Sequence, residues 1–230
     1  MDKTNISIVI PVINGERFLT NTVERIESYL STFPQIDNYE IIIAAQESKD
    51  KTINLAKKLQ SDTVKAVILQ EKGKWRGLKA GFKEAKYPWL VMIDSDLSYP
   101  IEFLEEAIKH QDAHIVIGSR YIKGVHRERI PPIRKFLSWG YRTMVRMLFG
   151  IKQRDIQVGC KLIKKKILDN IQIEDNSWVG DTELLYKAAK LGYNIKEIPI
   201  HYSFVENELD VRKAIPRMLV DMLKLRMRLK

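Results

Sequence analysis

The chain has 230 residues, 45% apolar and 30% charged, a globular balance that excludes wholesale disorder and allows one large α/β domain or a domain with a helical appendage. Its formal net charge of +10 attracts polyanions, among them nucleic acid, phosphorylated substrates and anionic lipid. A single cysteine, Cys160, excludes an intrachain disulfide and a Cys-rich metal site.

The first apolar run stops at Pro11 among polar residues, unlike a secretory signal. No stretch approaches the ~20 apolar residues that span a bilayer. The expectation is a soluble or surface-bound cytoplasmic protein. Residues 6–13 read as a strand. Residues 17–30 read as a helix, with Phe18, Val23, Ile26 and Leu30 at helical spacing. A strand over 40–45, a helix through Leu55 and Leu59 and a strand over 64–69 follow. Next come a helix over 78–85, a strand over 89–93, a helix over 102–110 and a strand over 113–118. Strands apolar on both faces and separated by helices predict a mainly parallel sheet covered on both sides.

Beyond Gly118 the character changes. Between Arg120 and Arg154 there are ten Lys or Arg residues and one acid, Glu128. Pro131-Pro132 opens a helical stretch carrying Phe136, Trp139, Met144, Leu148 and Phe149. A strand around 161–163, a helix over 181–191 and a strand over 195–202 come next. The segment 211–230 places Ile215, Met218, Leu219, Met222, Leu225 and Leu229 on one side, with seven basic residues and Asp221 on the rest.

The run WLVMIDSDLSYP carries the most chemistry. A buried strand ends at Ile93, and Asp94 and Asp96 follow with Ser95 between them. Ligands bind outside the carboxyl ends of parallel strands, where these acids emerge. Two neighbouring carboxylates repel unless a proton or cation intervenes, and a hard divalent ion would leave positions for diphosphate oxygens. A lone D-x-D is more often a solvated turn; its place between an apolar strand and a Pro-initiated helix favours the metal reading. Pro11, Asn14 and Glu16 lie between the first strand and first helix. Lys72, Lys74, Arg76 and Lys79 in EKGKWRGLKAGF read either as a solvated helix face or as cations for a diphosphate. There is no G-x-G-x-x-G and no Walker-type loop.

These pieces, in this order, resemble the family 2 glycosyltransferases of the GT-A fold, and most of all the dolichyl-phosphate mannose and glucose synthases and their bacterial polyprenyl-phosphate relatives. The resemblance runs over SIVIPVINGERFL, KWRGLKAGF, MIDSDLSYP, IVIGSRYIKG, DIQVGCKLIKK and GDTELLYKAAKLGYNIKEIPIHY. It implies a Rossmann-like, nucleotide-sugar-binding GT-A domain over 1–210 and a basic amphipathic C-terminal helix over 211–230. It also implies an inverting, metal-dependent hexosyltransferase using a UDP- or GDP-sugar donor and a lipid-phosphate acceptor, peripherally attached to an anionic membrane surface.

By that resemblance Asp94 and Asp96 hold Mg²⁺ or Mn²⁺ against the donor diphosphate. Pro11, Asn14, Glu16, Ala45, Gln46, Lys74 and Ser95 belong to the donor pocket. Arg120 and Arg134 face the donor and acceptor phosphates, and Asp155 lies at the acceptor side of the sugar. Asp181 and Glu183 match an acidic pair that reads equally as structural or functional. Three departures stand out: Ala45-Gln46 replaces an Asp-Asp pair that helps read the base, Ser98 replaces a Gln after the second metal Asp, and Trp75 and Gly77 replace small residues. A nucleic-acid partner is not expected, since no nucleic-acid module signature accompanies the charge. A hydroxyl acceptor, or a catalytically weak member with a binding role, are the alternatives.

Overall fold

The computed structural model describes residues 3–122, 125, 132–202 and 211–229. Seven strands form one sheet in the order β3-β2-β1-β4-β6-β5-β7. They are β1 (Thr4–Val12), β2 (Ile36–Gln46), β3 (Val64–Leu69), β4 (Trp89–Met92), β5 (Ile115–Ser119), β6 (Lys161–Lys164) and β7 (Ile195–Pro199). All run parallel except β6, which is antiparallel to both β4 and β5. The mainly parallel sheet expected from the sequence is therefore present. β2 begins four residues earlier than the apolar run indicates, because Ile36 and Asn38 still pair with Thr4 and Asn5 of β1, with Asp37 skipped at an irregularity between them.

The helices are α1 (Leu19–Thr32), α2 (Thr52–Lys58), α3 (Lys74–Glu84), α4 (Phe103–Ala107), α5 (Pro132–Phe149), α6 (Lys166–Asn170), α7 (Gly180–Lys190) and α8 (Val211–Arg228). A 3₁₀ turn over Ile108–His110 extends α4. In α1 the buried residues Leu19, Val23, Ile26 and Leu30 repeat every three or four positions, which turns one stripe onto the sheet. α3 does the same with Trp75, Leu78 and Phe82. β-branched runs such as Ile41–Ile43 are fully buried between the helical layers. Each such side chain contributes roughly 1.5–3 kcal/mol of transfer free energy.

Strand order fixes where a ligand can sit. From β1 the chain steps to β2 on one side, while β4 pairs with β1 on the other. The crevice beyond the carboxyl ends of β1 and β4 is the switch point where open α/β sheets bind ligands. Among the described residues, no helix is long and apolar enough to cross a membrane.

Candidate active site

β4 delivers Asp94 and Asp96 to this switch point. Ile93 N–H still donates to Val9 C=O (3.2 Å), and Leu97 N–H closes a turn on Asp94 C=O (3.2 Å). Leu97 sits at φ 48°, a left-handed conformation that costs a bulky side chain energy and persists only where its surroundings impose it. The Thr22 hydroxyl of α1 donates to Ser95 C=O (2.7 Å), one of those impositions. Ser98, read as a substitute for a metal-side glutamine, is buried; its backbone N–H donates to Asp96 Oδ1 (3.0 Å), so the residue orients the carboxylate from behind. Burial pushes the Asp96 carboxyl above the usual carboxylate value; the Ser98 N–H opposes this and the Asp94 charge adds to it.

The loop after β1 faces the same crevice. Asn14, at φ 49°, donates its N–H to Ser48 Oγ (3.0 Å) and accepts from Lys49 N–H (2.9 Å). Glu16 accepts from Lys51 N–H (3.0 Å), and Gly15 N–H donates to Thr52 Oγ1 (2.7 Å). The Asn14 and Glu16 side chains thus lace this loop to the one after β2. Pro11 is half-buried at the end of β1, in register with Ala44. Ala45 lies wholly in the core, so its methyl presents nothing to a ligand. Gln46 beside it is also buried, and its Oε1 has no hydrogen-bond partner.

Lys74, at the start of α3, reaches Asp94 of the acidic turn. Its ammonium is 3.4 Å from Asp94 Oδ1 and 3.6 Å from Asp181 Oδ2, with its side chain 5% exposed. Asp181 Oδ1 is bound at 2.6 Å by the ammonium of Lys161, which also donates to Val158 C=O (2.5 Å). Both Lys161 and Asp181 are fully buried. Burial alone would lower the Lys74 pKa, but Asp181 and Asp94 outweigh it and hold the ammonium above the ordinary lysine value. The exposed Trp178 lies over this ammonium, 5.1 Å from ring centroid to Nζ. The other large residue of the loop, Trp75, is buried against Gly180, where a side chain would overlap the indole. That packing explains the Trp in place of a small residue.

A second cluster lies on the other side of Tyr99, which neighbours both Asp94 and Arg120. Asp155, 1% exposed, takes Arg120 in a fork: Nε to Oδ2 at 2.7 Å and Nη2 to Oδ1 at 2.8 Å, with the Arg120 backbone N–H also on Oδ2 (3.0 Å). Burial opposes the Arg120 charge, but Asp155 outweighs it. The guanidinium lies 5.1 to 5.5 Å from the ring centroids of Tyr99, Tyr121 and Tyr202. Both Asp155 oxygens are engaged, so this residue orients Arg120. The Arg134 side chain lies outside the described residues.

Two contributors escaped the sequence reading. A β-carbon at Gly159 would overlap Asp94 Oδ2 and crowd Tyr99, so only glycine admits Asp94 at its observed place. Lys161, which looked like an ordinary strand lysine, is the buried partner of Asp181. Glu183 accepts from the Glu174 and Asp175 N–H groups (3.2 and 2.9 Å) and from Lys187 (2.6 Å), and so fixes the turn ahead of α7.

The family resemblance carried by the sequence implies a divalent cation, and Asp94 and Asp96 are the residues that could hold one. Among the described residues no three His, Cys, Asp or Glu side chains converge as a closed metal cage. Two carboxylates on one turn, with Asp96 made costly to ionise, fit instead a cation that shares its coordination with a phosphate-bearing ligand.

Solved structures of Mycobacterium tuberculosis glucosyl-3-phosphoglycerate synthase share the fold. The complex with uridine-diphosphate superposes with a TM-score of 0.70 at 18% identity, covering 97% of this chain and 80% of that one. The complex with Mn²⁺ and uridine-diphosphate-glucose gives 0.69 at 17%, covering 97% and 79%. In sequence the chain is 32% identical to a dolichol-phosphate mannosyltransferase of Pyrococcus furiosus, over 86% of this chain and 56% of that protein. It is 28% identical to a dolichyl-phosphate beta-glucosyltransferase of Trichomonas vaginalis, over 96% and 72%. It is also 28% identical to glycosyltransferase AglD of Haloferax volcanii, over 86% of this chain but only 33% of that protein. The glycosyl transferase family 2 pattern matches residues 7–172, the stretch from within β1 past β6 that carries Asp94, Asp96, Arg120 and Asp155, and the chain belongs to that family.

Proposed function

We propose that the chain transfers a hexose, glucose or mannose, from a UDP- or GDP-sugar to a polyprenyl or dolichyl phosphate, with inversion at the anomeric carbon. The observation that carries this reading is the juxtaposition at the switch point of a paired-carboxylate turn, Asp94 and Asp96, with a clamped arginine, Arg120. Similarity to dolichyl-phosphate and dolichol-phosphate sugar transferases supports the choice of acceptor.

The donor's nucleoside lies against Pro11, Asn14 and Gln46, where the unpartnered buried amide oxygen offers a hydrogen bond to a base. Asp94 and Asp96 would hold Mg²⁺ or Mn²⁺, which supplies positive charge for the departing diphosphate. A phosphate monoester has a second pKa near ~6, so the acceptor arrives anionic and needs no strong base. This agrees with Asp155, whose oxygens are both committed to Arg120. Arg120, kept charged and fixed by that fork, positions the attacking phosphate in line with the anomeric carbon. A phosphate oxygen forms the new bond to that carbon as the bond to the nucleoside diphosphate breaks.

The acceptor's surface is reached through α5 and α8, which pack on one another. α5 exposes Ile133, Phe136, Trp139 and Met147, and α8 exposes Val220, Leu223 and Met227. Apolar side chains of that size standing out among many cations suit a helix pair resting on an anionic bilayer. Met222 and Leu225 of α8 are fully buried, so the last helix is at once part of the packed body and part of that surface.

The test is transfer of labelled hexose from UDP-glucose and GDP-mannose to polyprenyl phosphate in liposomes with Mn²⁺ or Mg²⁺. Lipid-linked product is expected with one donor, and loss of at least about 100-fold in Asp96→Ala. Unchanged turnover in that variant would refute the assignment.

A further inference from the structure

Lys74 stands between two carboxylates without settling on either. Its ammonium is 3.4 Å from Asp94 Oδ1 and 3.6 Å from Asp181 Oδ2, within ion-pair range of both. Yet Lys74 Nζ and Asp181 Oδ2 are both buried atoms with no hydrogen-bond partner. A buried ammonium with two acceptors at near-equal distance, hydrogen-bonded to neither, can move a short way toward whichever is more negative.

The surroundings hold one end of this arrangement fixed. Asp181 is anchored through its other oxygen to Lys161 at 2.6 Å, and both side chains are fully buried. Trp178 lies over the ammonium and limits the water that could stand in for either carboxylate. Charges therefore alternate from Lys161 through Asp181 and Lys74 to Asp94, and only the Lys74 link is slack. Asp94 itself is 28% exposed and open to the crevice.

We propose that Lys74 is an exchangeable counter-ion for Asp94. Without a divalent cation its ammonium compensates Asp94; when a cation takes that carboxylate, the ammonium is repelled and passes to the waiting Asp181 Oδ2. Asp94 is thereby compensated in both states, and the ammonium competes with the incoming ion. Lys74 acts through Asp94 and is a positioning residue. The inference rests on the assignment of Asp94 and Asp96 as cation ligands.

Binding of Mn²⁺ alone, followed by the paramagnetic resonance of free Mn²⁺, separates the possibilities. Lys74→Met removes the competitor and is expected to tighten Mn²⁺ roughly tenfold or more. It should also lower Tm in the absence of Mn²⁺, with much of the loss recovered when Mn²⁺ is added. Asp181→Asn removes the alternative seat, leaves the ammonium on Asp94, and is expected to weaken Mn²⁺ by a similar factor. Opposite shifts from these two variants support exchange. Equal Mn²⁺ affinity in wild type and either folded variant, or the same direction of change in both, would overturn it. Failure of the wild-type protein to bind Mn²⁺ at all would instead remove the cation assignment beneath it, and this inference with it.

Discussion

Gly159 lies so close to Asp94 that any side chain at position 159 would occupy the space of the Asp94 carboxylate. β6, the one antiparallel strand, brings this glycine alongside β4 and so sets the position of the acid. Gly159→Ala must displace Asp94 or Tyr99, and displacements of about 1 Å cost on the order of 100-fold in rate. Transfer activity is expected to fall by at least that factor, with a circular dichroism spectrum like that of the wild type. An active Gly159→Ala protein would show that Asp94 need not sit where it does.

Arg120 and Asp155 are expected to behave as one unit. Asp155→Ala leaves a largely buried guanidinium without its fork, a change that costs about 3–5 kcal/mol. At this chain length that corresponds to a Tm fall of roughly 10 °C. Arg120→Lys keeps the charge but loses the two-pronged geometry. Its expected signature is a raised KM for the lipid phosphate with donor binding little changed. A normal acceptor KM in Arg120→Lys would separate this cluster from the acceptor.

Cys160 reports on the integrity of the same region. Burial pushes its thiol well above the ordinary value, so the folded state retains the proton. This contributes stability that is present below the unfolded thiol pKa near ~8.5 and is lost as pH rises toward the folded value. At pH 8 the thiol of the native protein is expected to resist a disulfide reagent and to react at once in denaturant. Rapid reaction of native protein would mean that the β5–β6 region opens readily.

The exposed faces of α5 and α8 should govern membrane attachment. Phe136→Glu with Trp139→Glu adds two negative charges and removes apolar surface, and liposome flotation on anionic vesicles is expected to drop roughly tenfold or more. Nucleotide-sugar binding in solution should not change. Point substitutions are the better probe here, because deleting α8 would expose the core around Met222 and Leu225. Equal flotation by the doubly substituted and wild-type proteins would assign these faces elsewhere.

Much of this was legible in the sequence, for identifiable reasons. Strands such as Ile41–Ile43 announce themselves because a sheet covered on both faces needs unbroken apolar runs. The Asp94–Asp96 turn was legible because strand, acid spacing and proline fall within one short segment. α6, Lys166–Asn170, was missed because one helical turn carries no periodicity to detect. Lys161 was unreadable because a buried lysine depends on its partner, and Asp181 lies twenty positions away. Gly159 is hidden for the same kind of reason: the atom that forbids a side chain there belongs to Asp94, in the turn after β4 and far away in sequence. Ala45 and Gln46 sit where the resemblance places the donor pocket; both are buried, and Gln46 keeps a polar atom without a partner.

The most direct measurement is calorimetric titration of UDP and GDP into the wild-type protein and into Asp94→Asn and Asp96→Asn, each with and without Mn²⁺. One nucleotide is expected to bind the wild-type protein at least about 100-fold more tightly with Mn²⁺ than without, and each variant is expected to lose that increment. Tight, cation-independent binding that survives in both variants would contradict the account.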